Sequence, residues 1–256
     1  MTGIQHFLPP AGASTVIRFQ EWPGGDAAPL TAGEVQVWMG TVPADEDELI
    51  RLARHLNLEE RHRAGQFSVD LPRREFILGR AMGRQLLGAA LRVEPVDLRF
   101  DRLVHGKPCL YPAMGDHDLR FNLSHSGGRV VVALAVGREV GVDLEWIHGL
   151  EDWNDISARI FSPRELAELH ALPIAQQRQA FFNGWTRKEA WLKATGEGLT
   201  DALTAIEISL APGRPPEWLA LPGGWEAMRR WSVQDIPLPE GFAGAVVYEN
   251  MISRTR

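Results

Sequence analysis

Asp143, Glu145 and Glu189 are carboxylates in two short segments whose spacing suits holding one hard metal ion against a diphosphate. In Gly141-Val142-Asp143-Leu144-Glu145, acidic and apolar residues alternate, which predicts a strand. Strand side chains repeat every second residue, so Asp143 and Glu145 share a face. Glu189 lies in the helical stretch Trp185-Thr186-Arg187-Lys188-Glu189-Ala190-Trp191-Leu192-Lys193, where positions four apart stand one above the other. Glu189 and Lys193 then point the same way, one offering an oxygen ligand and the other a positive charge. A few carboxylates with phosphate oxygens and water make the oxygen-rich environment that Mg²⁺ takes, and Mn²⁺ accepts the same donors. Taken alone, Asp143 and Glu145 fit an exposed strand edge or an ordinary ion pair equally well.

The scaffold for these groups comes from 256 residues, enough for one large domain or two modest ones, with an ordinary apolar share of 45%. A net charge of −6 argues against an extended nucleic-acid surface, while a local basic pocket for a small phosphate ligand stays compatible with it. Cys109 is the one cysteine, which excludes an internal disulfide framework and fits the cytoplasm. Met1 to Pro10 lacks a basic stretch followed by an apolar core, and no apolar run approaches membrane-spanning length.

Along the chain, residues 1–30 are rich in Pro and Gly and read as an irregular arm. Val35 to Met39 alternates as a strand, Leu49, Leu52, Ala53 and Leu56 repeat as a helix, and residues 71–89 form a second, basic helix. Gly79 and Gly83 in that helix mark either a close packing face or a shorter helix. Val93 to Phe100 is expected as a strand, with a turn at His105-Gly106-Lys107-Pro108. Phe121 to Gly128 precedes the β-branched strand Val130 to Val136, and a turn leads to the acidic strand at 140–145. Ser162, Pro163 and Glu165 have the form of a helix N-cap with a capping box. Strands are expected from Ala205, at Trp231 to Ile236 and at Phe242 to Tyr248. The order predicts an α+β protein: an N-terminal subdomain over 31–137 and a C-terminal one over 138–256.

The combination resembles the phosphopantetheinyl transferase family, in its long, single-chain (surfactin-synthetase-activating) form. Gly141 to Glu145 resembles the family's Gly-hydrophobic-Asp-hydrophobic-Glu motif, and Trp185 to Ala190 with Lys193 its Trp-x-x-Lys-Glu-small-x-x-Lys motif, which Gly196-Glu197-Gly198-Leu199 continues. Gly106-Lys107-Pro108 and Asn122-Leu123-Ser124-His125-Ser126 are similar to its coenzyme-binding loops, and Gly79-Arg80 is a weaker match. The resemblance spans residues 79 to 199.

The resemblance implies a pseudo-twofold monomer of two similar α+β subdomains with the active site in the cleft between them. It implies transfer of 4'-phosphopantetheine from coenzyme A to a serine of an apo acyl, peptidyl or polyketide carrier protein, with adenosine 3',5'-bisphosphate leaving. It assigns Asp143, Glu145 and Glu189 to the metal, Lys193 and Lys188 to phosphate or pantetheine, and Arg80, Lys107, Ser124 and His125 to the coenzyme's terminal phosphate. It makes Glu189 the general base, with a bound water as the alternative. Phe161 to Glu165 resembles a motif near the cleft, where Glu165 would orient a helix and Arg164 meet an acidic partner, with Arg178 and Arg187 as further candidates. A coenzyme A hydrolase with the same pocket and an inactive carrier-binding module are the competing readings; loss of Asp143, Glu189 or Lys193 would mark the latter, and all are present.

Overall fold

The computed structural model describes residues 15–22, 30–114, 118–148, 153–198 and 201–251. Within the expected arm, β1 (Val16–Glu21) pairs in parallel with β2 (Glu34–Thr41), so this part of the arm is a strand. The Pro and Gly residues that prompted the irregular reading, from Pro9 to Gly12 and from Pro23 to Pro29, lie outside the described residues, as does Leu199.

Two short helices follow: α1 (Glu46–Ala53), capped by the Asp45 side chain, and α2 (Leu58–Ala64), opened by an Asn57/Glu60 capping box. The next, α3 (Asp70–Leu91), runs 22 residues straight through both glycines. A Cβ at Gly79 would stand 3.2 Å from Leu123 Cδ1, so this glycine lets α3 press onto the strand carrying Leu123; Gly83 meets nothing within 4 Å. The strand expected over 93–100 does not form. Residues 95–97 make a 3₁₀ turn, because Pro95 has no N–H for a ladder and the Arg84 guanidinium takes the Pro95 and Leu98 carbonyls at 2.7 and 3.0 Å. A short hairpin remains, β3 (Phe100–Arg102) with β4 (Pro108–Leu110).

The polar stretch before Val130 is itself a strand, β5 (Leu119–Ser126), followed by β6 (Arg129–Val136) and β7 (Val140–Trp146). Helices α4 (Trp153–Ile160), α5 (Pro163–Ala171) and α6 (Ile174–Thr195) come next. The chain closes with β8 (Glu207–Ile208), β9 (Trp218–Ala220), α7 (Gly224–Arg230), β10 (Trp231–Asp235) and β11 (Phe242–Glu249). The Ser162/Glu165 capping box at the start of α5 is as the sequence predicts.

A four-stranded sheet has the order β1-β2-β6-β5 and a three-stranded sheet the order β10-β11-β7. Each carries one long helix: α3 covers the first around Trp38, Val130 and Leu134, and α6 covers the second around Ala243, Ala245 and Val247. Between the sheets, Val37, Val131, Val142 and Val246 form a shared core. Alternation decides which strand residues go where: Val142 and Leu144 enter that core, so Gly141, Asp143 and Glu145 face α6.

Candidate active site

The site lies where β5 and β7, each an edge strand of its own sheet, run side by side. Side chains replace the backbone ladder at this seam. Asn122 Oδ1 accepts the Val142 N–H at 2.9 Å, Ser124 Oγ donates to Asp143 Oδ1 at 2.9 Å, and Ser126 Oγ donates to Glu145 Oε2 at 2.9 Å while accepting the Trp146 N–H at 3.0 Å. Small polar residues at every second position of β5 thus meet β7 at an offset of 19 or 20 residues, which means the strands run in the same direction.

Helix α6 closes the other side. A Cβ at Gly141 would fall 2.1 Å from Ala190 O and 2.3 Å from Ala194 N, so only glycine lets β7 and α6 approach this closely. The approach brings Lys193 Nζ to 2.6 Å from Asp143 Oδ1 and 3.0 Å from Ser124 Oγ. One cation, one hydroxyl and one carboxylate oxygen therefore meet at a point to which both sheets contribute.

The remaining carboxylate capacity is unsatisfied. Asp143 Oδ2 and Glu189 Oε1 are buried without a hydrogen-bond partner. Burial, and then the Asp143 charge, pushes the Glu189 carboxyl up to about 7; the same causes in the same order raise Glu145, with Ser126 opposing. Three acidic groups held close and partly desolvated repel one another, and a shared cation relieves that repulsion. Among the described residues no cluster of three His, Cys, Asp or Glu side chains is gathered as a formed metal centre. The donor set nonetheless fits a hard cation, since two of its oxygens are buried and unpaired, and such oxygens are costly without a partner.

The other expected site residues separate. His125 points to the opposite face of β5 from Ser124, its Nδ1 3.1 Å from Glu75 Oε2 of α3, and it shares a cavity of about 130 Å³ with Arg80. Lys107 lines a different cavity. Its Nζ donates to Glu139 Oε2, Ala194 O and Val140 O at 2.8, 2.9 and 3.3 Å, and with all its N–H groups engaged it clamps the β4 end of the hairpin to β7 and α6.

Lys188 corrects the sequence reading more sharply. Its side chain is 1% exposed, and Nζ binds Glu165 Oε2 and Ile160 O at 2.7 Å and Leu203 O at 3.0 Å. No face of this ammonium is open to a phosphate. Glu165, fully buried as its partner, is equally withdrawn from any docking protein. Arg187 is buried against Asp235 and Ser209 O, whereas Arg164 stays exposed near Glu207. Trp185 packs on Phe181 and the core around α6, close enough to contribute a hydrogen bond to Glu145. The sequence places Asn122 and Ser126 only within a motif similar to a coenzyme-binding loop and gives Glu75 no role; the alternation of small polar residues at 122, 124 and 126 is the signal for the seam contacts of the first two.

Known sequences resemble this chain over most of its length. Residues 139–247 match the family model described as 4'-phosphopantetheinyl transferase superfamily, and residues 42–136 match 4'-phosphopantetheinyl transferase, N-terminal. The 4'-phosphopantetheinyl transferase HetI of Nostoc sp. is 36% identical over 85% of this chain and 88% of its own length. The chain belongs to the 4'-phosphopantetheinyl transferase superfamily. Another member, a 4'-phosphopantetheinyl transferase of Bacillus subtilis, is 31% identical over 71% of this chain and 72% of its own. The Helicobacter pylori holo-[acyl-carrier-protein] synthase in complex with coenzyme A matches with a TM-score of 0.35 and 22% identity, over 43% of this chain and 99% of that one. The tandem of an N-terminal and a superfamily match makes this a long-type member, with the seam carboxylates and α6 inside the second matched region.

Proposed function

We propose that this chain transfers 4'-phosphopantetheine from coenzyme A to the serine hydroxyl of an apo carrier protein, releasing adenosine 3',5'-bisphosphate, with Mg²⁺ held by Asp143, Glu145 and Glu189. The observation that carries the reading is the meeting of Lys193, Ser124 and Asp143 beside two unpaired buried carboxylate oxygens. When bound, Mg²⁺ would neutralise the diphosphate and stabilise the charge that develops on it during attack.

The chain's own groups do the rest. Lys193, whose side chain is 30% exposed, would hold a phosphate oxygen and offset charge on the departing bisphosphate. Ser124 and Ser126 fix the Asp143 and Glu145 carboxylates, so these donors need no reorganisation. Glu189 is the proton acceptor for the carrier serine, directly or through a water, with the cation it would hold weakening it as a base. His125 and Arg80 in their shared cavity are donors for the coenzyme's terminal phosphate.

The two halves, each a sheet with a 22-residue helix, support a pseudo-twofold arrangement of subdomains 31–137 and 138–256 with the cleft at the seam. Among the described residues no helix is long and apolar enough to cross a membrane. A cytoplasmic location fits the single cysteine, and action on a carrier protein rather than nucleic acid fits the charge of −6; the monomer is what the family resemblance implies. Analysis of the small products tests the reaction type: transfer gives adenosine 3',5'-bisphosphate only when carrier is present, whereas free phosphopantetheine without carrier would mark a hydrolase.

A further inference from the structure

We propose that Glu75 is a positioning residue that holds the His125 ring for the terminal phosphate of coenzyme A; this rests on the function proposed above. Glu75 lies on α3 with its side chain 8% exposed, and among the described residues His125 is its one ion-pair partner. Its two oxygens are divided between two N–H groups of the β5–β6 corner: Oε1 accepts from Gly128 at 2.6 Å, and Oε2 meets His125 Nδ1 at 3.1 Å. Gly127 and Gly128 both have positive φ, 58° and 80°, so the corner has a backbone that other residues rarely adopt and is pinned from below by this carboxylate.

With Nδ1–H committed to Glu75, the rotation of the imidazole is fixed and Nε2 is its remaining nitrogen. The ring lines the cavity shared with Arg80, Phe76, Phe100 and Arg84, whose Nη2 is buried without a partner. An imidazolium held in this way donates Nδ1–H to Glu75 and Nε2–H to an anion in the cavity. The same carboxylate therefore sets both the direction of the donor and the shape of the corner that carries it. Glutamine cannot replace it in this role: with its oxygen on the Gly128 N–H, its NH₂ group faces Nδ1 and needs that nitrogen as an acceptor, which is incompatible with a ring protonated on both nitrogens.

The test compares coenzyme A with dephospho-coenzyme A as donors for wild type, Glu75→Gln, His125→Ala and the double variant, with melting curves to confirm folding. Wild type is expected to prefer coenzyme A. Glu75→Gln is expected to cut that preference about tenfold through the KM for coenzyme A, with kcat within about twofold, and to add nothing once His125 is alanine. In wild type, ¹⁵N-imidazole NMR at a pH where the ring is neutral should show the proton on Nδ1, a readout that stands even if the variant does not fold. Equal losses with both donors, an unchanged preference in Glu75→Gln, or a proton on Nε2 would overturn the proposal. A preference retained by His125→Ala would overturn it too, while continued transfer by that enzyme would leave the proposed function standing.

Discussion

Ser124 Oγ and Asp143 Oδ1 lie 2.9 Å apart across the seam between the two sheets, and the Lys193 ammonium reaches both, at 3.0 and 2.6 Å. The first half of the chain thereby orients a carboxylate of the second, so assembly of the site depends on the two sheets packing together. Ser124→Ala should lower kcat/KM about tenfold and cost about 1 kcal/mol of stability, because Asp143 loses its neutral donor. Asp143→Ala and Glu189→Ala should each lower kcat/KM by about a thousandfold or more with the fold intact. Steady-state transfer assays beside unfolding curves decide this; two folded variants with near-wild-type rates would remove the metal site from the account.

Metal-free protein should reveal the crowding of carboxylates as a pH effect. The Glu189 carboxyl is raised to about 7 from an ordinary 4.5, so its contribution is most favourable below about pH 4.5 and is lost as pH rises through 7. Glu189→Gln removes the charge but keeps the shape. Without metal it should therefore be more stable than wild type at pH 8, by about 1–3 kcal/mol, with the difference shrinking toward pH 4.5. Urea unfolding across this range tests it, and a constant difference would show that Glu189 is not strained by its neighbours. The same variant should transfer poorly, separating stability from function.

Lys188 and Lys193 should behave as opposites although they stand on one helix. Lys188→Ala leaves Glu165 buried without its cation and is expected to cost about 3–5 kcal/mol. Lys193→Ala, which removes a side chain that is 30% exposed, should lose most of kcat and, with Mg²⁺ present to hold Asp143, cost less stability than Lys188→Ala. Calorimetric scans and single-turnover rates distinguish them; a stable Lys188→Ala protein with specifically weakened coenzyme A binding would return Lys188 to the coenzyme site.

Gly141→Ala would push a methyl group into the backbone of α6 at Ala190 and Ala194. Neither wall can yield as a side-chain tip would, so a loss of more than about 2 kcal/mol and a drop in transfer rate are expected together. Thermal melts and kcat/KM measure both, and an unperturbed Gly141→Ala enzyme would contradict the close approach of β7 and α6.

Much of the chemistry was readable because it follows backbone periodicity: strand alternation put Asp143 and Glu145 on one face, and helical spacing aligned Glu189 with Lys193. Periodicity fails where tertiary partners decide. Lys188 adjoins Glu189 in sequence, yet its direction matters only through Glu165, a residue 23 positions away. The β5 residues Asn122, Ser124 and Ser126 looked like a loop because a strand whose polar face bonds a second sheet has no apolar alternation to display. Val93 to Phe100 had strand composition, but Arg84, buried beneath it, claimed its carbonyls. The part of the Pro- and Gly-rich arm that is described is a strand because β2 offers it an edge.

Intact-mass analysis of folded apo carrier proteins, incubated with this enzyme, coenzyme A and Mg²⁺, tests the central claim most directly. The account predicts that at least one carrier gains the mass of a single phosphopantetheine group on its acceptor serine, in step with release of adenosine 3',5'-bisphosphate. No adduct on any member of a broad panel, from enzyme that measurably binds coenzyme A, would contradict it.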